Sequence, residues 1–269
     1  MFARMTRADW YDTPHYYDII FDQDTEKEAS FLEAVMARHG EGGNKTPLHV
    51  LEPACGSGRL VAELANRGHE VSGFDLNENM LDYARKRLAK QKLSAWLWQD
   101  RMEDFTLRTK QLFDLAHCLV STFKYVLTEH GAVSHLQRVA ASLRAGGLYV
   151  LGLHLTDYSH GGAQHERWVG ERDGTHVVCN THTRLPERRA RTEALRTRLR
   201  ITHDGRTHTQ ETHWTFRTYD AAQVKRLLRA VPDFDCVACY DFTYDVNAPR
   251  ELDNSYADVV LVLRKTQAG

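Results

Sequence analysis

Two carboxylates, Glu52 and Asp75, stand 23 positions apart, and each follows a short apolar run, Val50-Leu51 and Val71-Ser72-Gly73-Phe74. Between them Pro53-Ala54-Cys55-Gly56-Ser57-Gly58-Arg59-Leu60 leads from a strand into a helix through a glycine turn. Glycines let the chain turn tightly there and let a ligand approach the backbone with no Cβ in the way, beside the unpaired amides of a helix start. The three-glycine dinucleotide fingerprint requires a small residue at 61, where Val61 stands, which argues against a nicotinamide cofactor. Glu52, inside the turn, would repel a pyrophosphate and attract an ammonium group. Asp75, at the neighbouring strand end, is placed to accept both hydroxyls of a ribose. Two acids bracketing a glycine turn suit a nucleoside that carries an amino acid rather than a phosphate.

Other chemistry-bearing groups are more scattered. His154 follows one predicted strand, and Lys124 and Tyr125 follow another; these are the polar groups expected on an acceptor side, with His154 the candidate general base. The plainer readings are a hydrogen-bonded structural histidine and a solvated lysine. Cys236-Val237-Ala238-Cys239 has the spacing of half a zinc site, but an offset of three on a strand puts the sulfurs on opposite faces, and no second pair exists. His203, His208 and His213 read as surface residues, so no metal is expected. Arg184, Arg188, Arg189, Arg191, Arg196, Arg198 and Arg200 form a basic run in which the last three share a strand face. That face could grip phosphates, or it could be a solvated outer surface with Glu211 paired across the strand, and the absence of interleaved aromatics favours the latter.

The elements that must position these groups follow from periodicity. From Leu48 short apolar runs alternate with amphipathic helices, the signature of a parallel sheet with crossover helices. The predicted strands are His49–Leu51, Val71–Phe74, Ala95–Trp98, Phe113–Leu119 and Leu148–Leu153. Helices carry Leu60, Val61, Leu64 and Ala65, then Met80, Leu81, Ala84 and Leu88, then Val133, Leu136, Val139 and Leu143, the last closed by Gly146-Gly147. Before them an aromatic stretch, Trp10-Tyr11 and His15 to Phe21, precedes a helix that Thr25-Glu26-Lys27-Glu28 would open with a capping box and Gly40-Glu41-Gly42-Gly43-Asn44 would end. Between 160 and 217 the period changes to two. Asp173-Gly174 and Asp204-Gly205 are hairpin signals, and the second pairs Arg200 with Thr209 and Arg198 with Glu211, leaving Leu195, Leu199 and Ile201 on the other face with Trp214. A helix from Asp220 and strands Phe234–Phe242 and Asp258–Leu263 complete the chain.

The 269 residues are 42% hydrophobic and 26% charged, with 35 basic against 36 acidic side chains, which excludes fibrous and disordered classes and leaves no global field for polyanions. No stretch suits a membrane span or a signal peptide, and five scattered cysteines do not make a disulfide framework, so a cytoplasmic protein is expected.

With these pieces in order, the chain resembles a class I S-adenosylmethionine-dependent methyltransferase. The matching motifs are Leu51-Glu52-Pro53-Ala54-Cys55-Gly56-Ser57-Gly58, Gly73-Phe74-Asp75-Leu76-Asn77-Glu78-Asn79-Met80-Leu81, Gln99-Asp100-Arg101-Met102-Glu103-Asp104-Phe105 and Leu143-Arg144-Ala145-Gly146-Gly147. The resemblance implies an α/β fold with a Rossmann-like, doubly wound seven-stranded sheet whose last strand is antiparallel, an inserted small antiparallel sheet and an N-terminal helical lid. The corresponding divisions are 1–46 lid, 47–153 donor-binding core, 154–217 cap over the acceptor and 218–269 return to the core. It implies that Gly56 and Gly58 lie under the methionine part of S-adenosylmethionine, Glu52 near its amino group and Asp75 at the ribose. Leu76 and Met102 would flank the adenine and Asp100 accept its exocyclic amine. Cys118 and Leu119 would line the methyl path, and Ala54, Cys55 and Arg101 complete the donor set. Tyr17-Asp18 resembles the lid of sugar N-methyltransferases and glycine N-methyltransferase, where a tyrosine faces the cofactor. A methyl group would pass to nitrogen or oxygen of a small molecule, leaving S-adenosylhomocysteine; nucleic acid is disfavoured as a partner, no membrane is involved, and a homodimer is one assembly open to the chain. The rival readings are an RNA or protein methyltransferase docking its polymer on the arginine strand, and a non-catalytic S-adenosylmethionine-binding module.

Overall fold

The computed structural model describes residues 5–7, 9–41, 46–159 and 162–266. In chain order the elements are β1 (Met5–Arg7), a single turn of 3₁₀ helix at Trp10–Asp12, α1 (Pro14–Phe21), α2 (Thr25–His39), β2 (His49–Pro53), α3 (Arg59–Asn66), β3 (Glu70–Asp75), α4 (Glu78–Gln91), β4 (Trp96–Gln99) and β5 (Phe113–Cys118). A 3₁₀ turn at Thr122–Tyr125 follows, then α5 (Glu129–Ser142), β6 (Leu143–His154), β7 (Gln164–Arg172), β8 (Thr175–Thr183), β9 (Thr192–His203), β10 (Arg206–Arg217), α6 (Ala221–Arg229), β11 (Phe234–Tyr240) and β12 (Asp258–Lys265).

Seven strands form the central sheet in the order β11-β12-β6-β5-β2-β3-β4, with β12 antiparallel to β6 as expected. β5 is buried along its whole length, as a parallel strand covered on both faces must be. One face packs on α5 and α6 through Leu136, Val139 and Val224, the other on α2 and α3 through Leu32, Val35 and Leu64. β2 lies between β5 and β3, so the crossovers leave in opposite directions and open a crevice at the carboxyl ends, where α/β sheets bind ligands.

The cap is a second sheet, β1-β10-β9-β8-β7. Asp204-Gly205 turns the β9–β10 hairpin in the expected register, Arg200 opposite Thr209 and Arg198 opposite Glu211. Its inner face, with Val177, Cys179, Leu199 and Ile201, buries Trp10, Ile19 and Ile20 of the lid. Contact is close enough that a Cβ on Gly170 of β7 would lie 2.4 Å from the Ile19 carbonyl oxygen.

Four expectations need correction. β1, paired in parallel with β10, carries no alternating pattern in its three residues and was not expected. The capping box at Thr25 does not form: Asp24 precedes the helix, and the Glu28 carboxylate goes to Arg59 at 2.5 Å instead of back to the backbone. α5 ends at Ser142, before Gly146-Gly147, because Leu143 is already paired with Phe113 in the sheet. Cys236 and Cys239 share a face, for a reason given below. Gly42-Gly43-Asn44 and the residues before Met5 lie outside the described residues. No helix among the described residues is long and apolar enough to cross a membrane.

Candidate active site

The turn from β2 to α3 opens onto a cavity of about 690 Å³ at the carboxyl ends of β2, β5 and β6, within the usual size of a small-molecule site. Its floor holds Glu52, Ala54, Cys55 and Gly56 from the turn, with Cys118 at the end of β5 and Leu119 just after it. Lys124, Tyr125 and His154 stand on one wall and Tyr17 on the lid side. The aromatics Trp10, Tyr11, Trp168 and Trp214 close it from above, with Trp10 stacked on Trp214 at 4.5 Å.

Glu52 dominates the floor. It is 8% exposed, one carboxylate oxygen has no hydrogen-bond partner, and burial pushes its carboxyl up to about 8. The nearest cation, Arg59, is held by Glu28. Behind Glu52, His117 is fully buried with both ring nitrogens unpartnered; Nε2 lies 3.9 Å from the Glu52 oxygen, and burial drives the imidazole down to about 3, so it is neutral. The floor therefore offers a buried carboxyl that stays uncharged at neutral pH until a ligand cation draws it into its charged form. Gly56 has φ +53°, and nothing lies within 4 Å of where its Cβ would be, so ligand atoms can rest against the bare backbone.

The other residues expected to hold the donor lie outside the cavity wall, along the ends of β3 and β4 and in the turn. Asp75 accepts from the Gly56 amide at 2.9 Å and the Asn77 amide at 2.8 Å, which shapes the glycine turn, and burial raises its carboxyl. Gly58 caps α3. Leu76 is 56% exposed beside Asp75. Asp100 accepts from the amides of Arg101 at 2.9 Å and Thr106 at 3.1 Å, the Arg101 side chain turns to Glu103, and Met102 is buried among Phe105, Phe123 and Leu136.

Among the residues expected on an acceptor side, Lys124 is no surface charge: it is buried and donates to Glu193 of β9 at 2.7 Å. His154 Nδ1 meets Asp258 Oδ1 at 2.6 Å, the two residues facing each other across β6 and β12, and both line the cavity. Tyr11 donates to the Tyr125 hydroxyl at 2.8 Å, and burial raises both phenols far above neutrality, so neither is a base. Burial likewise holds the Tyr17 phenol at about 12 and the Cys118 thiol at about 12.

The basic run divides by strand parity. Arg198 and Arg200 are exposed and Arg196 half-exposed, while the alternating Leu195, Thr197, Leu199 and Ile201 are buried, so these arginines face away from the cavity; Arg198 pairs with Glu211 at 2.8 Å. Arg184 lines the cavity, and Arg191 turns to Glu129 of α5. Sequence reasoning missed Glu193, Asp258, His117 and the partners of Asp18. Their signals were a strand-end acid and a histidine inside an apolar strand, neither distinctive without the pairing.

Residues 50–147 match a family model described as a methyltransferase domain. Among curated relatives, a dTDP-3-amino-3,6-dideoxy-alpha-D-glucopyranose N,N-dimethyltransferase of Streptomyces fradiae is 28% identical over 138 residues, 50% of this chain and 50% of its own. The chain spans about half the length of the curated relatives it matches. Among solved structures, an S-adenosylmethionine-dependent methyltransferase from Clostridium acetobutylicum superposes with TM-score 0.76 at 15% identity, over 96% of this chain and 99% of that one. The sugar N-methyltransferase KedS8 from Streptoalloteichus sp. does so with TM-score 0.70 at 17% identity, over 98% and 96%. Residues 50–147 therefore match a methyltransferase domain model, and the chain shares the fold of the S-adenosylmethionine-dependent methyltransferases among these structures.

Proposed function

We propose that this protein transfers a methyl group from S-adenosylmethionine to a nitrogen of a small molecule held between the core and the cap. The observation that carries the reading is the unpaired, buried Glu52 carboxylate beside the bare Gly56 backbone, a floor that fits an ammonium-bearing ligand and not a diphosphate. Bound there, S-adenosylmethionine supplies an activated methyl on a sulfonium whose departure needs no acid. Glu52 would take its ammonium group, Asp75 its ribose and Tyr17 the lid side; Leu76, Asp100, Arg101 and Met102 mark the way to the adenine end.

The chain's own contribution is placement in a dry space, which is worth about 7–11 kcal/mol where reacting groups are well aligned. The aromatic roof would exclude water once ligands fill the cavity, and the Lys124–Glu193 pair and Tyr125 wall the acceptor side without offering a base. Acids outnumber cations on the cavity wall: Glu52, Glu166, Glu193, Asp157 and Asp258 against Arg59, Lys124 and Arg184. Such a wall suits an amine. The His154–Asp258 pair favours a second reading, an oxygen acceptor whose proton passes to His154 Nε2 while Asp258 holds Nδ1. A polymer gripped by Arg196, Arg198 and Arg200 would lie on the face of the cap turned away from this cavity, which counts against RNA or protein as acceptor.

The test is a screen of amino sugars, amines and phenols with S-adenosylmethionine, following S-adenosylhomocysteine release. Turnover with an amine or amino sugar is the expected result. Calorimetric binding of the donor without turnover on any acceptor would leave a binding module, and absence of donor binding would overturn the reading altogether.

A further inference from the structure

The two cysteines of Cys236-Val237-Ala238-Cys239 lie on β11, the edge strand of the central sheet. Simple alternation would separate their side chains, but the register with β12 runs Cys236 opposite Leu263, Ala238 opposite Val262 and Cys239 opposite Leu261. Val237 is thus an extra residue, a β-bulge that absorbs the odd offset. Leu261 and Leu263 are two apart and share a face, so Cys236 and Cys239 do as well. Their sulfurs are 3.8 Å apart.

We propose that Cys236 and Cys239 are a dithiol modification site that closes to an intrachain disulfide by exchange with low-molecular-weight disulfides such as oxidised glutathione. Cys236 is exposed and Cys239 buried, which assigns the order of events. The Cys236 thiolate attacks one sulfur of the external disulfide; that S–S bond breaks, and one external thiolate leaves. Cys239, after losing its proton to water, attacks Cys236 of the mixed disulfide and releases the second external thiolate. Two electrons pass from the protein dithiol to the external disulfide, which ends as two thiols. The neighbouring Cys239 thiol holds Cys236 below the ordinary thiol value, which favours the attacking form. Cys55, Cys118 and Cys179 are at most 4% exposed, so the reaction is confined to this pair.

The experiment uses the full chain, with folding of every variant checked by circular dichroism. Protein is incubated with oxidised glutathione, denatured with excess N-ethylmaleimide and weighed intact. The wild type should lose the mass of two hydrogens and take up maleimide at three of its five cysteines. Cys239→Ser should stop at a stable glutathione adduct on Cys236, and Cys236→Ser should acquire neither adduct nor disulfide. A wild type that keeps the adduct as Cys239→Ser does, that alkylates at all five cysteines, or that forms a disulfide-linked dimer would overturn the proposal.

Discussion

Asp18 of the lid helix accepts a hydrogen bond at 2.7 Å from Ser57, the residue between the two glycines of the β2–α3 turn. The same carboxylate, 1% exposed, also takes Arg172 of the cap at 2.6 Å, Tyr83 of α4 at 3.1 Å and Arg87 of α4. One side chain of α1 therefore joins β7, α4 and the β2–α3 turn.

Asp18→Asn should be strongly destabilising, because Arg87 and Arg172 lose the buried one of the two carboxylates that balance them, keeping only Asp22 at 3.3 and 3.0 Å. Removing one partner of a buried ion pair costs about 3–5 kcal/mol. Urea unfolding of the variant against the wild type measures it, and a loss below about 1 kcal/mol would show that the hub does not bear on stability.

Glu52 predicts two pH dependences. Its folded carboxyl, about 8, lies above the ordinary 4.5, so the uncharged form is favoured in the apoprotein and stability is lost as pH rises between those values. Glu52→Gln should therefore gain stability relative to wild type from pH 5 to pH 9, read as a widening difference in Tm. Donor affinity should run the opposite way, rising through about pH 8 as the carboxylate forms in the wild type and staying flat in Glu52→Gln.

The Lys124–Glu193 pair is buried on both sides, at 4% and 11% side-chain exposure. Lys124→Met should destabilise by about 3–5 kcal/mol by stranding Glu193, and Lys124→Met with Glu193→Leu should recover most of that. A double-mutant cycle from thermal unfolding settles the sign; additive losses would mean the two groups do not act as a pair.

With a hydroxyl acceptor, His154→Ala should lower kcat by about 10²–10⁴-fold, the usual contribution of a positioned base. Asp258→Asn should lower it less and alter the pH profile, whereas with an amine acceptor both variants should stay within about tenfold of wild type. Equal losses on both acceptor types would assign the pair to structure.

Arg198→Ala, on the outer cap face, should change stability by less than about 1 kcal/mol, as an exposed ion pair does, and leave turnover and its salt dependence unchanged. A steep fall of activity with ionic strength in the wild type, abolished by the variant, would restore the polymer reading.

Much of this was legible before any coordinates. The glycine turn, the acids at 52 and 75 and the β9–β10 register follow from local rules, since a turn type fixes a hairpin and strand parity fixes its faces. What escaped depends on long-range pairing. Glu28 could cap its own helix until Arg59 arrived from 31 residues away, and Lys124 reads as a surface group until Glu193 covers it. The cysteine pair failed for a subtler reason: the alternation rule was sound, but a single bulged residue inverted its parity.

The missing side chain at Gly170 sets how this molecule must breathe. With β7 resting directly on the backbone of α1, and Arg172 clasping Asp18 beside it, the aromatic helix and the overlying sheet make one shutter rather than two. A displacement of α1 away from the central sheet would therefore have to carry β7 with it.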